Sequence, residues 1–219
     1  MPLLLHKETG NGEFGIWEIS EETDQLYLLA RLCGQDELTY SGISALHRKK
    51  EWLATRALLN ELMGEPAQIN YYSDGRPYLE NSHTNISISH TKGFVSIMLH
   101  PSHLPGIDIE LISREVGKVS GRFLSSEEIS FCLEKTGNSN LYYLIHWCAK
   151  EAIFKMLPFS NIEFAEDISI IIADISMDNG TIEGVFNGKS GQVPIPLNYL
   201  LFNGIIVVWG SIDNINLTG

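Results

Sequence analysis

Two carboxylates stand two residues apart in the segment Gly106-Ile107-Asp108-Ile109-Glu110. On a β-strand, residues i and i+2 point to the same face, so Asp108 and Glu110 lie side by side while the isoleucines face the core. Two like charges this close repel each other unless a cation lies between them. A hard divalent cation such as Mg²⁺, acting with phosphate substrates, is the natural partner. The alternative from spacing alone is an exposed strand with two solvated acids.

A second group of charged residues lies between Trp147 and Lys155. On a helix, Trp147, Glu151 and Lys155 fall on one face. Glu151 is suited either to complete a metal site or to take a proton, and Lys155 is suited to neutralise a phosphate. Lys150 lies about 100° away from Glu151 around the helix, so it either reaches the same ligand from its flank or points to solvent. The alternative is an ordinary Glu–Lys helix pair, which contributes ~0.2–0.5 kcal/mol.

Polar and basic residues suited to phosphate binding occur in the first half of the chain. Alternation along a strand-like segment places Ser89 on one face, with His90 at the strand end. Arg48 and Arg56 lie roughly along one stripe of a predicted helix, and Arg76 lies in a Gly-Arg-Pro turn. The alternatives are a hydrogen-bonded turn histidine and a solvated helix face. The sequence contains neither GxxxxGK[ST] nor GxGxxG, so nucleotide binding through those loops is unsupported.

The composition excludes some classes of protein. The 219 residues include 15 Lys and Arg against 27 Asp and Glu, for a formal net charge of −12, which disfavours nucleic-acid binding. Three cysteines, Cys33, Cys132 and Cys148, form no CxxC pair, which argues against a disulfide scaffold or a structural zinc site. The apolar segments are too short for a signal peptide or a membrane helix. We therefore expect a cytoplasmic protein. Separately from these features, we expect a monomer.

The elements that must position these residues do not alternate regularly. A hairpin is predicted around residues 90–93, a short strand at Gly106–Leu111, and four strands between Ile168 and Ile212. Helices are predicted at Ser41–Met63, Ser125–Glu134 and Asn138–Leu157. Strict βαβ alternation is missing, so the fold class predicted is α+β.

The order of the motifs is more specific than any one of them. Gly-Arg-Pro is followed by Ile-Ser-His-Thr, Gly-Ile-Asp-Ile-Glu, Arg-Phe-Leu-Ser-Ser-Glu-Glu and Trp-Cys-Ala-Lys-Glu-Ala-Ile-Phe-Lys. This succession resembles the two-lobed 4'-phosphopantetheinyl transferases of the surfactin-synthetase-activating type. The resemblance implies Mg²⁺-dependent transfer of the phosphopantetheine arm of coenzyme A to a serine of an acyl or peptidyl carrier protein, with release of 3',5'-ADP. It also implies two similar lobes, 1–104 and 105–219, related by a pseudo-twofold axis with coenzyme A between them.

The resemblance also implies roles for individual residues. Asp108 and Glu110 match the ligands that hold Mg²⁺, and Glu151 matches the third acid, a ligand or general base. With Lys155, Asp108 and Glu151 form the implied catalytic set. Glu128 matches an acid that joins the metal site in some members, but Ser125-x-x-Glu128 is also a helix capping box, so both roles stay open. The implied coenzyme A contacts are Arg48, Arg56, Arg76, Ser89, His90, Lys150 and Lys155.

A different reaction remains compatible with the same acids. A Mg²⁺-dependent phosphohydrolase acting on a nucleotide-like phosphoanhydride would also use Asp108 and Glu110, with water as the acceptor. A carrier-binding module without catalysis would not need the three acids Asp108, Glu110 and Glu151. Their presence together therefore argues against such a module.

Overall fold

The computed structural model describes residues 3–10, 12–32, 34–158, 161–189 and 191–213. These residues form helices and antiparallel sheets, which confirms the α+β class. The chain forms two compact units, Met1–Ser102 and His103–Gly219; the similarity of the two lobes and their pseudo-twofold relation stay predictions. No helix in the described ranges is long and apolar enough to cross a membrane. Cys132 and Cys148 are buried free thiols, and Cys33 lies outside the described residues.

The first unit packs a long helix against an antiparallel sheet. Its helices are α1 (Thr23–Ala30), α2 (Asp36–Gly42) and α3 (Leu46–Met63). Its strands are β1 (Leu3–Thr9), β2 (Gly12–Glu18), β3 (Ile69–Tyr71), β4 (Pro77–Leu79), β5 (Asn85–Thr91) and β6 (Phe94–His100). Four of them form a sheet in the order β1-β2-β6-β5, and α3 packs on β2 and β6. The β5–β6 hairpin confirms the one predicted around residues 90–93.

The start of the long helix in this unit differs from the prediction. The expected helix began at Ser41, but α2 ends at Gly42 and α3 begins only at Leu46. Ile43 and Ala45 between them are extended, since glycine and a β-branched residue in succession are weak helix formers. The end is as predicted, because Gly64 takes the left-handed conformation directly after the last helical residue.

The second unit places one long helix across a five-stranded antiparallel sheet. Its strands are β7 (Leu104–Leu111), β8 (Ile168–Ile171), β9 (Asn179–Gly188), β10 (Gly191–Phe202) and β11 (Ile205–Ile212), in the order β7-β11-β10-β9-β8. Its helices are a 3₁₀ turn (Gly117–Arg122), α4 (Ser126–Glu134), α5 (Ser139–Met156) and α6 (Phe164–Asp167). Helix α5 packs on β7 and β11, with α4 beside it. The two predicted helices and the four strands after Ile168 are therefore confirmed.

A glycine lets α5 approach β7 closely. A Cβ atom added to Gly106 would lie 2.7 Å from Cγ of Met156 and still closer to the carbonyl oxygen of Ala152. Real Cβ atoms essentially never approach other heavy atoms this closely. The first residue of the Gly-Ile-Asp-Ile-Glu motif therefore sets the distance between the strand and the helix.

We expect the substitution Gly106→Ala to lower the free energy of unfolding by about 1–3 kcal/mol, the usual cost of inserting an atom into a filled core. The measurement is equilibrium denaturation followed by circular dichroism. The control is Gly121→Ala, because a Cβ at Gly121 meets no atom within 4 Å. Equal stability of the two variants would contradict the close approach.

Candidate active site

The two acids of β7 face helix α5 and are buried. The alternation of the strand places Gly106, Asp108 and Glu110 on the side of α5, since Gly106 abuts the helix. Asp108 is 4 % exposed and Glu110 is 6 % exposed, and the intervening Ile107 and Ile109 are completely buried. The alternative of two solvated acids on an exposed strand is therefore wrong.

The stripe predicted on α5 contacts these acids. Lys155 Nζ donates hydrogen bonds to Asp108 Oδ1 (2.8 Å) and to the carbonyl oxygen of Ile107 (2.9 Å). About two turns nearer the start of α5, Trp147 Nε1 donates to Glu110 Oε1 at 3.3 Å. Lys155 therefore pairs with Asp108 of the strand, 47 residues away in the chain. The alternative of an ordinary helix pair between Glu151 and Lys155 does not account for this contact.

Glu151 lies in the same electrostatic environment. Burial raises the pKa of its carboxyl group, the charge of Asp108 raises it further, and Lys155 and Arg114 act in the opposite direction. A carboxylate with a raised pKa is a better proton acceptor at neutral pH than a solvated one. The environment of Glu151 therefore suits a general base.

Arg114 is a site residue that the motifs did not identify. Its guanidinium Nη1 donates to Glu110 Oε1, and its Cζ lies 5.2 Å from the centre of the Trp147 ring. Its carbonyl oxygen accepts a hydrogen bond from Asn140 Nδ2 at 3.0 Å, which holds the loop after β7 against α5. The sequence signalled this residue only as one of the cations in the segment from Arg114 to Arg122.

Glu128 and Lys150 form a separate buried pair. The capping box is confirmed, because Ser125 Oγ accepts from the Glu128 backbone and Glu128 Oε2 accepts from the Ser125 backbone. Lys150 Nζ donates to Glu128 Oε2 at 2.7 Å and has no exposed surface. The alternative in which Lys150 points to solvent is therefore wrong.

The four predicted metal ligands are not assembled into one cluster. Across the described ranges, no group of three or more His, Cys, Asp or Glu side chains could hold a metal ion. The physical reason is that Lys155 and Arg114 bind Asp108 and Glu110, while the oxygens of Glu128 accept other hydrogen bonds. Asp108 and Glu110 still supply oxygen donors on one face of a strand, as a hard cation requires. Metal binding by these residues stays a prediction.

Two of the predicted phosphate contacts in the first unit lie together. Arg48 Nη1 is 3.5 Å from His90 Nε2, although 42 residues separate them in the chain. Both side chains are exposed, and Arg48 also pairs with Glu51 at 3.2 Å. An exposed guanidinium group beside an imidazole is suited to contact an anion.

The other predicted phosphate contacts of this unit have partners within it. Arg56 is 3 % exposed, donates to Asp36 Oδ1 at 3.2 Å, and lies over the Trp52 ring at 3.3 Å from its centre. Burial lowers the pKa of Arg56 and raises that of Asp36, and each charge offsets part of the other's shift. Arg76 Nε donates to Asp74 Oδ2 at 2.8 Å, and Ser89 is buried. Phosphate binding by these three residues stays a prediction.

The segment that contains these acids matches a known family model. Residues 105–197 match the model of the 4'-phosphopantetheinyl transferase superfamily. The match covers a little under half of the chain and contains Asp108, Glu110, Glu151 and Lys155. Comparison with curated proteins returned no match.

Proposed function

We propose that this protein transfers the 4'-phosphopantetheine group of coenzyme A to a serine of an acyl or peptidyl carrier protein and releases 3',5'-ADP. The observation that carries the proposal is the contact of the α5 stripe with the buried acids of β7, inside the segment that matches the transferase superfamily. The succession of motifs from Arg48 to Lys155 supports the surfactin-synthetase-activating type within that superfamily. The superfamily match favours transfer over phosphohydrolysis.

Asp108 and Glu110 would hold Mg²⁺ in this scheme. Both present carboxylate oxygens from one face of a strand, which fits the oxygen preference of the ion. When bound, Mg²⁺ offsets negative charge on the pyrophosphate oxygens of coenzyme A and on the leaving group. Lys155 is next to Asp108 and adds a fixed positive charge for the same oxygens.

Glu151 acts as the general base in the proposed reaction. It takes the proton of the carrier serine as the hydroxyl oxygen attacks the phosphorus that carries the pantetheine arm. The bond from that phosphorus to the bridging oxygen breaks, and the electron pair leaves with 3',5'-ADP. The raised pKa of Glu151 supports this role over that of a spectator carboxylate.

The main candidates for anion binding in the first unit are Arg48 and His90. The further candidates are Arg56, Arg76 and Ser89. The chain has a net charge of −12 and its substrate is anionic, so positive charge must be concentrated locally. The exposed guanidinium group of Arg48, next to His90, supports the proposal that these two residues contact the anion.

We expect purified protein, coenzyme A and Mg²⁺ to add one phosphopantetheine unit to an apo-carrier protein, detected as a mass shift of the intact carrier. Apo-carriers of the fatty-acid, polyketide and peptide type are tested in parallel. A chelator is expected to abolish the shift, and added Mg²⁺ to restore it. Absence of a shift on every carrier would contradict the proposal, and coenzyme A cleavage without a carrier would favour the phosphohydrolase instead.

A further inference from the structure

The buried ammonium group of Lys150 joins three elements of the second unit. Besides its bond to Glu128, Lys150 Nζ donates to the carbonyl oxygen of Phe164 at 2.8 Å. Lys150 belongs to α5, Glu128 to α4, and Phe164 begins α6. One side chain therefore connects α5 with both neighbouring helices.

The carboxylate of Glu128 extends this network to the backbone. Its Oε2 also accepts from the Ser125 backbone N–H at 2.9 Å, and its Oε1 accepts from the Ile170 backbone N–H of β8 at 2.9 Å. These two backbone groups belong to the start of α4 and to β8, so Glu128 is held at two points outside α5. Glu128 therefore fixes the position of the Lys150 ammonium group.

We propose that Lys150, through Glu128, is a positioning residue that sets the rotation of α5 about its axis and so holds Glu151 and Lys155 against Asp108. The proposal rests on the proposed function and replaces the coenzyme A contact expected of Lys150. Since Lys150 and Glu151 are consecutive, they project about 100° apart, and α5 is held on two flanks. Rotation of the helix would break the Lys150 contacts and, at the same time, move Lys155 away from Asp108.

The burial of the pair supports positioning over simple stabilisation or ligand binding. Lys150 has no exposed surface, so a phosphate could reach its ammonium group only after the bond to Glu128 had broken. Buried ion pairs contribute little net stability compared with apolar residues of the same size, and their best-attested use is to fix register. In this protein, the pair of Lys150 and Glu128 fixes the rotation of α5.

The kinetic test uses Lys150→Met, Glu128→Gln and the variant with both substitutions. Each single substitution leaves one buried charge without its partner, and we expect kcat to fall about 10²-fold, the effect of a displacement of about 1 Å, with the KM for coenzyme A little changed. The double variant leaves no unpaired charge and is expected to regain most of kcat. Lys118→Met is the matched control, because Lys118 pairs with Glu115 on the surface.

A second measurement does not depend on turnover. The indole N–H of Trp147 reports the position of α5 against β7, because it donates to Glu110. We expect its ¹H–¹⁵N resonance, assigned among the four tryptophans with Trp147→Phe, to shift in the single variants, return toward the wild-type position in the double variant and stay in place in Lys118→Met. If wild type shows no transfer, the proposed function fails, but this resonance still decides whether the pair positions α5.

The outcomes separate positioning from substrate contact. A raised KM for coenzyme A in both Lys150→Met and the double variant, with the Trp147 resonance unmoved, would overturn the proposal and restore Lys150 as a substrate contact. A fall in kcat with an unchanged KM and a moved resonance supports it. If the single variants do not fold, the double variant decides alone: a kcat, a KM for coenzyme A and a Trp147 resonance near those of wild type support positioning, and a raised KM overturns it.

Discussion

Replacing Asp108 by asparagine is expected to lower kcat for carrier modification by about 10²- to 10³-fold, the effect of removing one group that stabilises the charge of a transition state. Asparagine has the size of aspartate, so the packing of β7 against α5 is kept. The substitution removes the negative charge that pairs with Lys155 and that is proposed to attract Mg²⁺. The measurement is the rate of carrier mass shift at saturating coenzyme A and Mg²⁺.

The matched control for this variant is Asp174→Asn in the same unit. Asp174 also pairs with a lysine at 2.8 Å, but its side chain is 92 % exposed. Solvent screens such a pair, so kcat should stay at the wild-type value. A wild-type kcat in Asp108→Asn, with the melting temperature unchanged, would remove Asp108 from the catalytic set.

Replacing Glu151 by glutamine is expected to lower kcat by about 10²- to 10⁴-fold, the range for loss of a general base. Glutamine keeps the size and the hydrogen-bonding oxygen but cannot take a proton from the carrier serine. Glu151 and Asp108 interact electrostatically, and loss of one negative charge relieves that repulsion, so we expect the variant to be at least as stable as wild type. Transfer rates and thermal denaturation are both measured.

A titration with Mg²⁺ distinguishes the two roles open to Glu151. For a general base, the Mg²⁺ concentration at half-maximal rate stays at the wild-type value while kcat falls. An increase in that concentration would instead make Glu151 a metal ligand and contradict the role proposed for it. Glu134→Gln is the control, since Glu134 is an exposed acid of α4.

The face relations of the site were predictable from the sequence because they follow from local geometry. A strand alternates with a period of two, which placed Asp108 and Glu110 on one side. A helix repeats every 3.6 residues, which aligned Trp147 with Lys155. The shared face of the two acids and the alignment of Trp147 with Lys155 are confirmed by the contacts between α5 and β7. The expectation that the isoleucines take the core side of the strand was wrong, because the side that carries the acids packs on α5.

What lies opposite each side chain could not be predicted in the same way. Helix geometry placed Lys150 on a different face from Glu151, but it did not identify what Lys150 contacts. Its partner Glu128 is 22 residues away in the chain, and exposure of Lys150 to solvent was an equally open prediction. Arg56 likewise has its partner Asp36 in another helix, 20 residues away. Such pairs depend on how helices pack on the sheet, a tertiary property that spacing does not contain.

The prediction of helix ends depended on the strength of the local signal. Gly64 in the left-handed conformation ended α3 where expected, because few other residues adopt it without cost. The start was wrong because the break depends on a weaker signal, the succession of Gly42 and Ile43, whose low helix propensities end α2 and leave Ile43 extended.

The close approach at Gly106 also determines how the second unit should respond to changes elsewhere. The separation between the acids of β7 and Glu151 of α5 is limited by contact with a main-chain atom, the carbonyl oxygen of Ala152. Main-chain atoms do not change rotamer, so this contact sets a lower limit on the separation that repacking of the surrounding core side chains does not change. Volume-conserving exchanges among the apolar residues beneath α5 should therefore lower the melting temperature well before they lower turnover, which makes that core a suitable region for a randomised library.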